Sequence, residues 1–158
     1  MGQKQSVPDE DGSRDIKCTS HQQTMTRTET RRHALSWGAN HGGRLGLGDT
    51  ISDKEVIVPK QVNADTISWA QIECGPFHTV ALSTDGEVYT WGCGGAGELG
   101  HGDYTERNVP TKVESLSGET IVKIACGMMH TAALTSEGKL LTWYVRRFIT
   151  FLFQSNHH

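Results

Sequence analysis

Cys74-Gly75-Pro76-Phe77-His78-Thr79-Val80-Ala81-Leu82 returns 52 residues later as Cys126-Gly127-Met128-Met129-His130-Thr131-Ala132-Ala133-Leu134. Over residues 72–91 against 124–143, ten of twenty positions are identical. Upstream, Trp37-Gly38 recurs as Trp91-Gly92, and Arg44-Leu45-Gly46-Leu47-Gly48-Asp49 recurs as Glu98-Leu99-Gly100-His101-Gly102-Asp103, both 54 residues on. Seven of thirteen positions match between 37–49 and 91–103. Trp143 continues the tryptophan series. A repeat of about 50 residues marks stacked supersecondary units, with propeller blades the leading all-β case.

The local chemistry inside the repeat is that of strands. Trp69 to Cys74 is a short, mostly apolar run, Phe77 to Leu82 is another, and Glu87-Val88-Tyr89-Thr90-Trp91 alternates and is rich in β-formers. These predict antiparallel strands over 69–74, 77–82 and 87–91, repeated over 121–126, 129–134 and 139–143. Asp85-Gly86 between the second and third strands suits a tight hairpin, and Glu137-Gly138 keeps the glycine. The glycine-spaced runs ending in Asp49 and Asp103 have few β-formers and read as turning chain. A turn-capping role for these two carboxylates fits their repetition better than contact with a partner.

The string Cys-Gly-x-x-His-Thr-x-Ala-Leu, followed by a glycine turn, Trp-Gly and Leu-Gly-x-Gly-Asp, resembles the regulator-of-chromosome-condensation (RCC1) repeat. The signature positions are Trp37, Gly38, Asp49, Cys74, Gly75, His78, Thr79, Trp91, Gly92, Asp103, Cys126, Gly127, His130, Thr131 and Trp143. The resemblance covers about residues 34–143 and implies an all-β, incomplete β-propeller of four-stranded antiparallel blades, about two of them. It implies a scaffold for protein contacts. The founding family member is a nucleotide exchange factor for the small GTPase Ran, and relatives join propellers to kinases, ubiquitin ligases or membrane-traffic regulators. No exchange loop or wedge maps onto these repeats. Three functions are thereby opened: an interaction module that regulates a small GTPase, an exchange factor for a Ran-like GTPase, and a non-functional fragment of a longer repeat protein.

Outside the repeats the character changes. Residues 1–33 are polar and bury too little apolar surface to offset chain entropy, which predicts a disordered segment. Met1-Gly2-Gln3-Lys4-Gln5-Ser6 fits the N-myristoylation pattern on Gly2, a weak reversible anchor with no polybasic cluster behind it. After Trp143 the expected glycine is replaced by Tyr144-Val145-Arg146-Arg147, and residues 144–158 match neither repeat. That break reads as a truncated or splice-derived tail.

Charge and thiols set the partners. Residues 34–143 hold seven Lys/Arg and thirteen Asp/Glu, a balance of −6. Phosphate-backbone binding needs clustered cations, so direct nucleic-acid binding is not expected, and a basic protein or a small GTPase is the expected partner. Cys18, Cys74, Cys93 and Cys126 follow no apolar leader, and no run reaches membrane-spanning length. This predicts free thiols in an intracellular protein, cytoplasmic or nuclear.

Several sharper readings fail on chemistry. The Cys74/His78 and Cys126/His130 pairs lack zinc-finger spacing and each serves its own repeat, so structural hydrogen bonding is expected and no metal. No nucleophile or carboxylate is placed beside either histidine, and no catalytic residue is expected. Gly92-Cys93-Gly94-Gly95-Ala96-Gly97 matches a dinucleotide fingerprint, but two further glycines at 100 and 102 oppose the helix that would hold the phosphate. No cofactor is expected. Plant UV-B photoreceptors of this family carry Gly-Trp-Arg-His-Thr; the matching Gly75-Pro76-Phe77-His78-Thr79 and Gly127-Met128-Met129-His130-Thr131 lack that tryptophan. Photoreception is not expected.

Overall fold

The computed structural model describes residues 17–18, 23–28, 31–48, 55–62, 64–144 and 147–152, with side chains described from 32 to 144. Among these, three four-stranded sheets follow one another along the chain. The first holds β1 (Lys17–Cys18), β2 (Gln23–Thr28), β3 (Arg31–Ala39) and β4 (Glu55–Gln61). The second holds β5 (Trp69–Cys74), β6 (His78–Ser83), β7 (Val88–Gly92) and β8 (Arg107–Lys112). The third holds β9 (Ile121–Cys126), β10 (Thr131–Thr135), β11 (Lys139–Tyr144) and β12 (Arg147–Leu152). Every neighbouring pair within a sheet is antiparallel. The predicted strands of the second and third sheets are therefore present, the second and third of each shifted by one or two residues.

The sheets extend beyond the repeats on both flanks. About two blades were expected, and three sheets are formed. The extra strands come from both flanks of the repeat region. Gln23–Thr28, inside the 1–33 segment, pairs in full with Arg31–Ser36, while residues 1–16 of that segment lie outside the described residues. The composition of that segment is polar, but Gln-Thr-Met-Thr-Arg-Thr places a β-branched residue at every second position, which a strand accommodates. On the other flank, Arg147–Leu152 pairs with Lys139–Tyr144 over six positions, so the segment that matches neither repeat supplies the outermost strand of the third sheet. A strand in that place needs backbone pairing rather than signature residues.

The two larger apolar clusters lie between sheets, and a smaller one of Leu45, Leu47 and Val56 with Trp37 lies within the first sheet region. Ala34 and Val62 of the first sheet region pack with Trp69, Ile72, Ala81 and Trp91 of the second. Val80, Leu82 and Val88 of the second pack with Ile121, Ile124, Ala133, Leu141 and Trp143 of the third. β6 faces a neighbour on both sides and all six of its residues are buried. β4, an outermost strand, buries only Val56. The up-and-down order sends the loops after first and third strands to one face and those after second and fourth strands to the opposite face. The first is the long-loop face, with 40–48, 75–77, 93–106 and 127–130; the second is the short-loop face, with 62, 64–68, 84–87, 113–120 and 136–138.

Candidate interaction faces and the junctions that fix them

Each junction between sheets is built from the repeated residues. At the junction of the second and third sheets, the Thr131 hydroxyl donates to the Glu98 carbonyl at 2.8 Å, and the Trp143 indole Nε1 donates to the same oxygen at 2.8 Å. Both lone pairs of that carbonyl are thereby engaged. With its proton committed, Thr131 Oγ1 accepts from His78 Nε2, 2.8 Å away, which places the imidazole proton on Nε2. His78 is fully buried. Gln71 adds a bidentate clasp, donating to the Ile124 carbonyl at 3.0 Å and accepting from the Ile124 N–H at 3.2 Å. At the junction of the first and second sheets, Thr79 Oγ1 donates to the Arg44 carbonyl at 3.1 Å. Arg44 and Glu98 are thus equivalent, as are Thr79 and Thr131.

The glycines of the Leu-Gly-x-Gly runs have a steric reason. Gly46 lies against the Trp91 ring and Gly100 against the Trp143 ring, so that a Cβ at either would stand 2.8 Å and 2.7 Å from the indole nitrogen. Both also adopt positive φ, +69° and +78°, which favours glycine. Trp91 and Trp143 are buried under these loops, whereas Trp37, with no preceding loop over it among the described residues, is half-buried. Gly38, next to last in β3, and Gly92, the last residue of β7, have positive φ, and Gly92 pairs with His78.

The cysteine–histidine pairs do not converge within a repeat. Cys126 Sγ instead lies 3.2 Å from His78 Nε2 of the preceding one, and Gly75 packs against the Gly127 carbonyl between them. Among the described residues no group of three His, Cys, Asp or Glu is placed to hold a metal ion. His130, the counterpart of His78, is exposed. Asp103 caps its turn, accepting from Thr105 N at 2.9 Å and from Arg107 Nη2 at 2.7 Å. The Thr105 N–H, then Arg107, hold its carboxyl below the usual range. Asp49 and Gly2 lie outside the described residues.

The two faces differ in chemistry. On the short-loop face lie Asp65, Asp85, Glu87, Glu114, Glu119 and Glu137; Lys112 and Lys139 adjoin its second and third sheets, and Arg32 and Lys60 lie near the same ends of β3 and β4. Lys112 bridges Glu87 at 2.7 Å; Lys139 bridges Glu137 at 2.9 Å and Glu119 at 3.4 Å. The Lys112 bond, then that from Tyr89, lowers the Glu87 carboxyl; Lys139 does the same for Glu137. Between Asp85–Val88 and Leu116–Thr120 runs a groove of about 250 Å³. On the long-loop face, Arg44 stacks its guanidinium over Phe77, 5.8 Å from the ring centre, and donates to the Pro76 carbonyl. Met128, Met129 and Tyr104 are exposed large apolar side chains of its loops, and Tyr144 is another at the adjoining end of β11. Burial, then Glu106, pushes the Cys93 thiol up; burial, then Arg107, pushes His101 down. No described helix is long and apolar enough to cross a membrane.

Sequence reading found the repeated side chains but missed Arg44, Gln71 and Glu98, which act through backbone carbonyls or across sheets. Arg44 and Glu98 stand at one repeat position with opposite charge, and only the shared backbone role explains that tolerance.

The model of the regulator of chromosome condensation (RCC1) repeat matches residues 33–82 and 85–134. The chain belongs to the RCC1-repeat family. A matched unit runs from the third strand of one sheet to the second strand of the next, so each repeat carries one complete junction. Ultraviolet-B receptor UVR8 of Arabidopsis thaliana is 42% identical over 109 residues, covering 68% of this chain and 24% of the receptor. E3 ubiquitin-protein ligase HERC2 of Homo sapiens is 38% identical over 115 residues, covering 68% of this chain and 2% of the ligase. This chain therefore spans at most about a quarter of either relative. Human WBSCR16 shares the fold with a TM-score of 0.73 at 23% identity, covering 84% of this chain and 37% of that one. Prp20p of Saccharomyces cerevisiae, described with its binding properties to Gsp1p and histones, aligns with a TM-score of 0.65 at 25% identity over 77% of this chain and 31% of its own. RCC1 repeats are protein-interaction modules, and that is the level of function the family fixes.

Proposed function

We propose that the chain docks a protein with a basic surface on its short-loop face, and that a small GTPase is the partner class it regulates. The observation that carries the reading is the concentration of Asp65, Asp85, Glu87, Glu114, Glu119 and Glu137 on one face, where they outnumber Arg32, Lys60, Lys112 and Lys139. Such a field attracts cations at long range and is screened by salt. Prp20p, with its histone and Gsp1p binding, supports a basic or GTPase partner by similarity. The reading stops at binding. Nucleotide exchange requires a broad surface with higher affinity for the nucleotide-free GTPase than for the loaded one, and no residue here is assigned to such a surface.

The test measures binding of Ran and of core histones at rising salt, with fluorescent-nucleotide release followed in parallel. Salt-sensitive binding lost in the double variant Asp85→Lys/Glu119→Lys, without faster release, is expected. Salt-independent binding, or binding unaffected by the charge reversal, would overturn the proposed face. Accelerated release at catalytic amounts would overturn the restriction to binding.

A further inference from the structure

The two equivalent loop pairs on the long-loop face are finished differently. Arg44 reaches across the first junction, stacks on Phe77 and donates to the Pro76 carbonyl, while its Nε donates to the His41 carbonyl at 2.7 Å. The equivalent of Arg44 at the second junction is Glu98, fixed there by the same carbonyl role. The equivalents of Pro76 and Phe77 are Met128 and Met129. Glu98 leaves that pair uncovered. Its side chain turns back into its own loop, where Oε2 accepts from Ala96 N at 2.7 Å, and it is 3% exposed. A carboxylate has no proton to give a carbonyl. Met128 is 61% and Met129 40% exposed, and among the described residues no donor reaches the Met128 carbonyl.

We infer that the Met128–Met129 loop receives an arginine side chain from a partner protein, in the manner in which Phe77 and Pro76 receive Arg44 within this chain. The occupant is identified by the molecule's own filled copy of the site. A guanidinium is planar and weakly hydrated, so it lies on apolar surface while its edge donates to a carbonyl; an ammonium is compact and strongly hydrated. Methionine is flexible and polarisable and moulds to a flat group. Two adjacent exposed methionines, on a face that also exposes Tyr104 and Tyr144, are a feature of binding surfaces. The site deepens the reading of the chain as an interaction module, but it lies on the face opposite the acidic one.

The experiment uses the full chain labelled with ¹³C at the methionine methyls, titrated with acetyl-Gly-Arg-Gly-amide and its lysine and citrulline analogues. The arginine peptide is expected to give saturable shifts of the Met128 and Met129 methyls, the lysine peptide weaker ones and the citrulline peptide none. Met25 serves as the reference methyl. Glu98→Arg supplies the occupant internally and should abolish the shifts. Met129→Phe restores the aromatic platform of the first junction and should tighten binding about threefold, the scale of an exposed cation–π contact. Absence of saturable shifts, equal shifts with citrulline, or retained binding in Glu98→Arg would overturn the assignment. Asp85→Lys/Glu119→Lys should leave these shifts unchanged, which separates a failure of this site from a failure of the acidic face.

Discussion

The first and second junctions are built on one plan and closed by different chemistry. At the second, the Glu98 carbonyl takes two buried donors, Thr131 and Trp143, and His78 extends the chain of bonds. At the first, the Arg44 carbonyl takes Thr79, and the buried Nε1 of Trp91 has no partner among the described residues. Aromatic packing stands in for that bond. Trp69 meets Tyr89 edge-on at 5.4 Å and Trp91 tilted at 6.0 Å, where the second junction has Ile121 and Leu141 in the places of Trp69 and Tyr89. Arg44 adds its clasp on Phe77 from outside. A repeat thus specifies where two sheets meet, while the balance of polar and aromatic closure varies freely between copies.

The sharpest way to break this comparison is to remove the tryptophans. Trp91→Ala and Trp143→Ala each delete a buried ring, at about 3–5 kcal/mol. Trp143→Ala should be the costlier by ~1 kcal/mol, because it also deletes a buried hydrogen bond. Chemical denaturation of both variants checks this, and equal losses would mean that the indole bond to Glu98 adds nothing net. Next come the glycines above those rings. Gly46→Ala and Gly100→Ala should each cost about 1–3 kcal/mol by overpacking, and a mild effect at either would show that its loop moves off the tryptophan. The hydroxyls follow. Thr131→Val removes the link between His78 and Glu98 and should cost about 1–3 kcal/mol, and Thr79→Val, which removes the bond to the Arg44 carbonyl, should cost at least ~1 kcal/mol. If Thr131→Val costs nothing measurable, the polar account of the second junction is wrong.

Much of this was legible because repetition is legible. Cys74–Leu82 and its copy located β6 and β10, and the tryptophan spacing located β7 and β11, since the signature side chains sit where two sheets press together. What escaped notice lies outside that pressure. β2 and β12 need only backbone pairing and alternation, and neither carries the signature. One trace was available: the pairing of Gln23 with Ser36 matches that of Val80 with Thr90, so His78 aligns in sequence with His21. Blade number was undercounted because the repeat is out of phase with the sheet, so that two matched repeats contribute strands to three sheets. The junction partners Arg44 and Glu98 were invisible for another reason. Their carbonyls are what the fold uses, and a carbonyl leaves no signature in side-chain chemistry.

The smallest effect tests whether aromatic burial truly closes the first junction. Tyr89 holds its proton up to about 12, first because it is buried and second because its hydroxyl donates to Glu87 Oε2 at 2.8 Å. An exposed tyrosine ionises near 10.0. The folded value is the raised one, so the stabilisation from the neutral phenol is complete below pH 10 and is lost as pH climbs from 10 to about 12. Glu87→Gln keeps an acceptor but removes the charge, and should bring the Tyr89 value part of the way down. Trp69→Leu opens the edge-on packing and should bring it down further, because burial is the larger cause. Phenolate absorbance at alkaline pH, with Tyr89→Phe subtracted to isolate this residue from Tyr104 and Tyr144, reads both shifts. Should Glu87→Gln restore the ordinary value while Trp69→Leu leaves it raised, the ring would owe its proton to the carboxylate alone. The aromatic cluster would then be a surface feature rather than the closure of the first junction.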